Sequence, residues 1–145
     1  MNVMRELTVG RFSVEVELAN DEDIIRAKAG LISAEQVRRM RVRGVVGSGA
    51  TRLVIPDAVV KQLGLNVFGN TKARYADGRT AERRIARRIH LTYDGRDNVF
   101  NAIVEPTRES ILIGAIVLED LDFLIDCVGK RLVPRDPDRI ISEVE

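Results

Sequence analysis

The chain has 145 residues, the size of one ordinary domain, and its 23 basic and 22 acidic side chains leave a net charge of +1. Such a balance argues against a dedicated binder of nucleic acid or of anionic membranes, since both need a surplus of basic charge. One cysteine and one histidine exclude an internal disulfide and a zinc site. Because no apolar run approaches the ~18 residues of a membrane span and no signal peptide is evident, we expect a soluble cytoplasmic protein without metal or cofactor.

The N-terminal third of the chain predicts two extended segments separated by a short helix. Alternation of apolar and polar residues at 12–19 predicts a half-buried strand. The polar run at 20–23 predicts a turn that ends this strand. A capping-box pattern, with glutamine three residues after serine, predicts a short helix at 33–40. The chain then becomes extended at 41–46 and reaches a glycine-rich turn at 47–49.

The best-marked helix of the sequence follows a short buried strand at 53–55. Pro56 and Asp57 suit its first turn, because proline lacks an amide donor that would be unpaired there and a carboxylate complements the helix dipole. Gly64 is a natural C-terminal stop. We therefore predict a helix at 56–63.

The second half of the chain predicts short strands arranged around a hairpin. An Asp-Gly pair at 77–78 lies between extended segments, which is a strong hairpin signal. The return arm at 85–93 fits both helical and strand periodicity, and its β-branched residues and flanking turns favour a strand. The other predicted elements are strands at 99–104 and 111–113, a helix at 115–121, and extended arms at 123–128 and 131–133.

Many short strands with a few brief helices predict an all-β fold, a small closed or semi-closed β-barrel. We expect a single domain over residues 1–145, with its core at about 12–134. Residues 135–145 are polar and predict a mobile tail.

Three motifs occur in a fixed order along this chain. The first is Val-Gly-Ser-Gly-Ala-Thr at 46–51, followed by an apolar strand, a proline, a helix and Leu-Gly-Leu up to residue 65. The second is the hairpin at 76–78, and the third is Ile-Leu-Ile-Gly at 111–114 before a short helix. Together they resemble the retroviral-type (retropepsin-like) aspartic peptidases over residues 12–134. The segments 118–121 and 131–134 are typical of the small bacterial members.

The resemblance implies a homodimer in which each subunit supplies one carboxylate of a facing pair. The two carboxylates share a proton: the ionised one deprotonates the attacking water and the protonated one polarises the scissile carbonyl. A peptide or protein substrate would bind as an added strand, through main-chain hydrogen bonds. The resemblance assigns an active-site loop at Gly47, Ser48, Gly49, Ala50 and Thr51, a flap at Ala76, Asp77 and Gly78, and a second apolar-Gly element at Ile113 and Gly114. It places 48–50 on the floor of the groove and implies that the Ser48 hydroxyl braces the two facing loops.

The chain departs from the family at the position of the catalytic aspartate, where it has Gly47. Glycine supplies neither the base nor the acid, and a homodimer loses both copies together. We therefore predict an aspartic endopeptidase subunit that is inactive as sequenced. Two explanations are open: an engineered inactivation of an enzyme, and a natural pseudopeptidase. The alternative function is a non-catalytic dimer that binds peptides or proteins.

Four other features have simpler interpretations. The arginines at 83–88 form a basic cluster, which we interpret as a solvated strand face or a dimer contact, because no aromatic residues are interleaved for nucleic-acid stacking. His90 is expected to be structural, without a carboxylate partner. Three aspartates between 120 and 126 have apolar spacers, unlike a calcium loop. Cys127 is expected to be a buried, inert thiol in an apolar strand.

Overall fold

The computed structural model describes residues 11–47 and 49–145. Its helices are α1 (Asp21–Lys28), α2 (Asp57–Leu63) and α3 (Ala115–Leu121), and a short 3₁₀ turn covers Ala34–Gln36. The strands are β1 (Phe12–Asn20), β2 (Arg39–Val46), β3 (Leu53–Ile55), β4 (Val67–Arg74), β5 (Thr80–Tyr93), β6 (Arg96–Val104), β7 (Ile111–Ile113), β8 (Phe123–Asp126) and β9 (Arg131–Pro134).

The main sheet closes on itself because β1 pairs with both β2 and β5. Six strands, in the order β1-β2-β7-β3-β6-β5, form the closed barrel, and β4 extends the sheet beyond β5. The β2–β7 and β3–β6 pairs are parallel, while the other pairs are antiparallel. The last two strands form a separate antiparallel hairpin. The predicted all-β closed barrel with short helices is therefore confirmed.

The inside of the barrel is filled by aliphatic side chains that alternate along the strands. Leu18, Ile55 and Ile89 are fully buried, and residues from α2 and α3 pack into the same cluster. Burying one such side chain is worth about 1.5–3 kcal/mol. No helix in the described part of the chain is long and apolar enough to cross a membrane.

The polar run at 20–23 begins a helix, and its prediction as a turn was wrong. Asn20 is the N-cap of α1, and its Oδ1 accepts a hydrogen bond of 3.1 Å from the Asp23 amide. Three acidic residues occupy the first turn, where they face the positive end of the helix dipole. The asparagine side chain also donates to the carbonyl of Leu63 at 2.8 Å, which ties α1 to α2.

The helix predicted at 33–40 is only the 3₁₀ turn at Ala34–Gln36. The capping interaction exists, since the Ser33 amide donates to Oε1 of Gln36 at 2.8 Å. From Arg39 onward, however, the chain is β2, and it pairs with β1 starting at Ala19. Eight consecutive cross-strand partners override a capping signal that is local to one turn.

The other predicted elements agree with the structure to within a few residues. The ambiguous return arm is strand β5, and α3 buries Val117 and Leu121 as its pattern predicts. Helix α2 begins at Asp57, with Pro56 as its N-cap, and ends at Leu63, with Gly64 as its C-cap at a left-handed φ of 60°. Residues 135–145 form no helix or strand.

Two side-chain predictions in the second half were wrong. Cys127 is exposed, because β8 ends at Asp126 and that carboxylate accepts the amide of Gly129 at 2.9 Å to form a turn. His90 does have a carboxylate partner, since its Nε2 lies 2.7 Å from Oδ2 of Asp97. In the hairpin between β5 and β6, His90 pairs with Val99 and Asp97 pairs with Thr92, so the two residues lie two positions apart in the register, which the sequence alone does not reveal.

Replacing the fully buried Leu18 should destabilise the protein far more than replacing the exposed Leu31. Leu18→Ala leaves a cavity in the barrel and should lower the free energy of unfolding by about 2–5 kcal/mol. Leu31 is 75% exposed, so Leu31→Ala should change the free energy of unfolding by less than about 0.5 kcal/mol. Urea titrations followed by circular dichroism measure both values. Equal losses would contradict the packing described here.

Candidate functional site

The glycine loop lies where two parallel strands end side by side. Val46, the last residue of β2, is paired with Ile113, the last residue of β7. Because parallel strands run in one direction, Gly47 and Gly114 follow at the same end of the sheet. The Ala50 amide donates to the carbonyl of Gly47 at 3.4 Å, which closes a turn. Ser48, the predicted brace of the dimer, lies outside the described residues.

Helix α3 holds this loop in place through its own N-terminus. The amide of Ala115 donates to the carbonyl of Ala50, and the amide of Ile116 donates to that of Thr51, each at 2.9 Å. Amides of a first helical turn have no partner within the helix. Here the loop carbonyls satisfy two of them. The position of the loop is thus set by main-chain bonds and does not depend on which side chains it carries.

The two glycines differ in how strictly the packing demands them. A Cβ on Gly114 would lie 2.4 Å from the carbonyl oxygen of Arg52, which is backbone and cannot move aside. A Cβ on Gly47 would meet Nε of Arg11 at 3.7 Å and Cδ1 of Leu112 at 4.0 Å, which are ordinary contacts. Only Gly114 is therefore required by close approach of the main chain. The buried position of Gly47 has room for a Cβ atom.

The charge around Gly47 is basic. The guanidinium of Arg11 lies beside it, and burial together with the charge of Arg11 lowers the pKa of Arg108. Asp57, at the start of α2, and Asp77, on the tip of the β4–β5 hairpin, are engaged with other partners. Asp57 forms an ion pair with Arg84 on β5, and Asp77 pairs with Arg79 at 2.6 Å.

The hairpin between β4 and β5 ends in a tight, exposed tip. The Tyr75 amide donates to the carbonyl of Arg79 at 2.8 Å, and Gly78 adopts a φ of 87° that favours glycine. Hydrogen bonds from the backbone amide and then the side chain of Arg79 lower the pKa of Asp77. The tip residues Ala76, Asp77 and Gly78 are exposed. The hairpin is confirmed, and its role as a flap stays a prediction.

A groove of about 450 Å³ lies between this hairpin and the segment 105–110, which leads into β7. Its wall on the hairpin side includes Tyr75, Arg79 and Arg83, and the opposite wall includes Glu105 and Arg108. Sequence reasoning missed this groove, although the segment directly precedes the second apolar-Gly motif. The signal that could have found it is the run of charged and polar residues between two buried strands.

Hydrogen bonds to one carboxylate join the two walls of the groove. The Tyr75 hydroxyl donates to Oε2 of Glu105 at 2.5 Å, and Nε of Arg83 donates to Oε1 at 3.1 Å. The bond to Glu105, followed by burial, raises the pKa of Tyr75. The same carboxylate raises the pKa of Arg83. The base of the hairpin is thereby fixed to the segment before β7.

The basic cluster at 83–88 is distributed over several separate contacts. Arg83 bonds Glu105, Arg84 pairs with Asp57, Arg88 pairs with Asp21, and the guanidinium of Arg87 lies 4.2 Å from the centre of the Phe68 ring. A solvated strand face with ion pairs fits these contacts. Within residues 11–47 and 49–145, no group of three or more metal-ligating side chains comes together.

Comparison with known proteins supports the fold through solved structures. No family model matches the chain, and no curated protein matches it. Among solved structures, the EIAV protease in complex with the inhibitor HBY-793 superposes with a TM-score of 0.55, over 85% of this chain and 92% of that chain, at 17% identity. The fold is retropepsin-like. At this identity the likeness concerns the fold alone, and the bacterial branch stays a prediction.

Within this retropepsin-like fold, the structure brings together only part of the predicted site. Gly47, Ala50 and Thr51 adjoin Gly114 and α3 through the bonds described above, and Ile113 is the β7 residue paired with Val46. Gly49 is exposed, with open space around it. The hairpin tip at 76–78 forms hydrogen bonds within itself and to Arg79. Their roles in binding or catalysis stay predictions.

Alanine at each of the two paired glycines should have opposite effects on stability. Gly114→Ala forces backbone apart and should cost several kcal/mol, on the order of 3 or more. Gly47→Ala fits without strain and should be neutral or stabilising by up to about 1 kcal/mol, because alanine restricts the unfolded chain. Urea titration of both variants measures the difference. A larger loss at Gly47 would contradict the proposed room at that position.

The hydrogen bond from Tyr75 to Glu105 should be visible in a phenol titration. The chain has two tyrosines, so Tyr93→Phe leaves Tyr75 as the only phenol. Its pKa should lie above about 10. The bond contributes to stability at neutral pH and is lost only as the pH rises through this raised value. Glu105→Gln removes the negative acceptor and should lower the pKa, as ultraviolet absorbance measures. An unchanged midpoint would contradict the contact.

Proposed function

We propose that this chain is a subunit of a retropepsin-like aspartic endopeptidase that binds an extended peptide in the groove of a homodimer. It is inactive as sequenced, because Gly47 occupies the position of the catalytic aspartate. The observation that supports this best is the place of Gly47: it directly follows β2, as Gly114 follows β7, on a loop held by α3, in a fold shared with a solved protease.

The chemistry follows from what the loop would carry in an active enzyme. Two carboxylates, one from each subunit, would share a proton and activate a water against the scissile carbonyl. Ser48 would brace the two loops, while Gly49 and Ala50 would form the floor of the groove. The hairpin tip at 76–78 would cover the bound peptide as a flap. Without the carboxylates, binding remains and hydrolysis is lost.

A second function is favoured by the contact between Arg11 and Gly47. A carboxylate introduced at this position would lie against the Arg11 guanidinium. An adjacent cation favours the ionised form, which opposes the sharing of a proton between two carboxylates. This surrounding suits a non-catalytic dimer that binds peptides or proteins and has lost the environment of the catalytic pair.

Restoring a carboxylate separates the two functions. Gly47→Asp should gain cleavage of a diverse peptide library, strongest at acidic pH and blocked by pepstatin-type inhibitors. The isosteric Gly47→Asn is the matched control and should cleave nothing, because it lacks an ionisable group. Mass spectrometry of the products measures both, and sedimentation establishes that each variant is a folded dimer.

A double variant tests whether Arg11 alters the pH dependence of a carboxylate at residue 47. Gly47→Asp combined with Arg11→Gln removes the neighbouring cation and should move the active range to higher pH by about one unit or more. If neither the single nor the double variant cleaves while both stay folded and dimeric, the peptidase proposal is wrong and the peptide-binding dimer is favoured.

A further inference from the structure

The groove between the hairpin and the segment 105–110 has an uneven charge. Three arginines and one glutamate line it. Arg83 is bound to Glu105 at 3.1 Å, and Arg79 is bound to Asp77 at 2.6 Å. Arg108 differs, because its bonds go to neutral oxygens. Its Nε donates to the carbonyl of Ser110 at 2.7 Å, and its Nη2 lies 3.5 Å from the hydroxyl of the same residue.

Arg108 is held in a position that is costly for a cation. The side chain is half-buried, and burial and then the positive charge of Arg11 lower its pKa, while the negative charge of Glu105 offsets only part of this effect. No carboxylate forms an ion pair with it in the described part of the chain. A guanidinium stays charged at any physiological pH, so burying one that is offset only by the charge of Glu105, without an ion pair among the described residues, is unfavourable. An anion supplied from outside would remove this penalty.

The single carboxylate in the groove is not available to attract a cation. Both oxygens of Glu105 accept hydrogen bonds, Oε1 from Arg83 and Oε2 from Tyr75. Its charge is compensated by Arg83. A basic ligand would therefore find only a carboxylate that Arg83 already compensates, while an acidic one would find a fixed donor.

From this arrangement we propose that the groove selects peptides carrying an acidic side chain, and that Arg108 recognises the carboxylate. The inference rests on the peptide binding proposed above: this groove lies at the base of the hairpin whose tip would cover the peptide, and Arg11, which lies beside Gly47, also acts on the charge of Arg108. Ser110 fixes the orientation of the guanidinium through Nε, which leaves N–H groups of both terminal nitrogens for a ligand. A carboxylate suits this donor pair, because guanidinium and carboxylate match in geometry and form charge-assisted bonds. Arg108 is thus the specificity-determining residue.

The test uses the full chain and short, fluorescently labelled peptides of neutral sequence in which one position is glutamate, glutamine or lysine. The variable position is moved along the peptide in turn. In fluorescence anisotropy, at least one position should give about tenfold tighter binding for glutamate than for glutamine. Lysine at that position should bind more weakly than glutamine.

Variants of Arg108 distinguish recognition from a structural role. Arg108→Gln should make glutamate and glutamine peptides bind alike, and Arg108→Glu should favour the lysine peptide. A folding defect cannot reverse a preference. Arg131→Gln is the matched control, since that side chain is 69% exposed and belongs to the separate hairpin of β8 and β9. It should keep the full glutamate preference.

Several results would overturn the inference. Peptides that bind without a charge preference, or a preference that survives in folded Arg108→Gln, would show that Arg108 does not read the ligand. A single-stranded oligonucleotide that displaces the glutamate peptide at lower concentration would point to a phosphate ligand instead. Absence of binding by every peptide would remove the inference together with the peptide groove.

The same peptides separate this inference from the proposed peptidase. If Gly47→Asp cleaves neutral and acidic peptides equally well, the endopeptidase function is supported and the preference for acidic peptides is contradicted. If acidic peptides bind selectively but Gly47→Asp cleaves nothing, the preference stands and the chain is a peptide-binding dimer.

Discussion

The close approach of the Arg52 backbone to Gly114 is the constraint on which the central part of this fold depends. It allows the chain after β2 to pass directly over the end of β7. The loop carbonyls of Ala50 and Thr51 can then reach the first amides of α3. Strand β3 follows at once and pairs with both β6 and β7. Because Gly114 has no side chain, strands β3 and β7, helix α3 and the loop after β2 can pack together as a single unit.

Closure of the barrel fixes where the second wall of the groove can lie. Strand β7 pairs with β2 on one side and β3 on the other. The segment 105–110 must therefore cross from β6, past β3, to reach β7. The long β5 strand carries the hairpin tip away from the barrel on the same sheet. The hydrogen bonds of Glu105 with Tyr75 and Arg83 join the segment 105–110 to the hairpin. The groove is therefore a product of strand order, and its charge is a product of the side chains at its rim.

Signals that act within a few residues were sufficient to predict most of the elements. The Asp-Gly turn at 77–78, the glycine stop at Gly64 and the apolar face of α3 each depend on neighbouring residues, and the structure agrees with all three. The start of α1 was also a local signal, an N-cap asparagine with three acidic residues, but its polarity was interpreted as a turn. At 33–40 the pairing of β2 with β1 prevailed over the capping box.

Contacts between distant parts of the chain could not be predicted from composition or periodicity. The Tyr75–Glu105 bond spans 30 residues, and the Arg83–Glu105 bond spans 22. The partner of His90 and the exposure of Cys127 likewise depend on how strands end and turn back. The parallel alignment of the two apolar-Gly motifs was not predicted, because neither motif specifies it alone. The groove and the place of Arg108 in it could therefore be recognised only from the three-dimensional structure.

The contrast between the two glycines has a consequence at the level of the genetic code. Glycine and aspartate codons can differ by a single base, so one nucleotide substitution interconverts the two residues. At Gly114 such a change would break the main-chain contact with Arg52. At Gly47 a new Cβ atom meets only ordinary contacts, and the loop is held by backbone bonds that any residue can make. In a lineage with this fold, a single mutation could therefore exchange aspartate and glycine at residue 47, and the protein would not have to pass through a sequence that fails to fold.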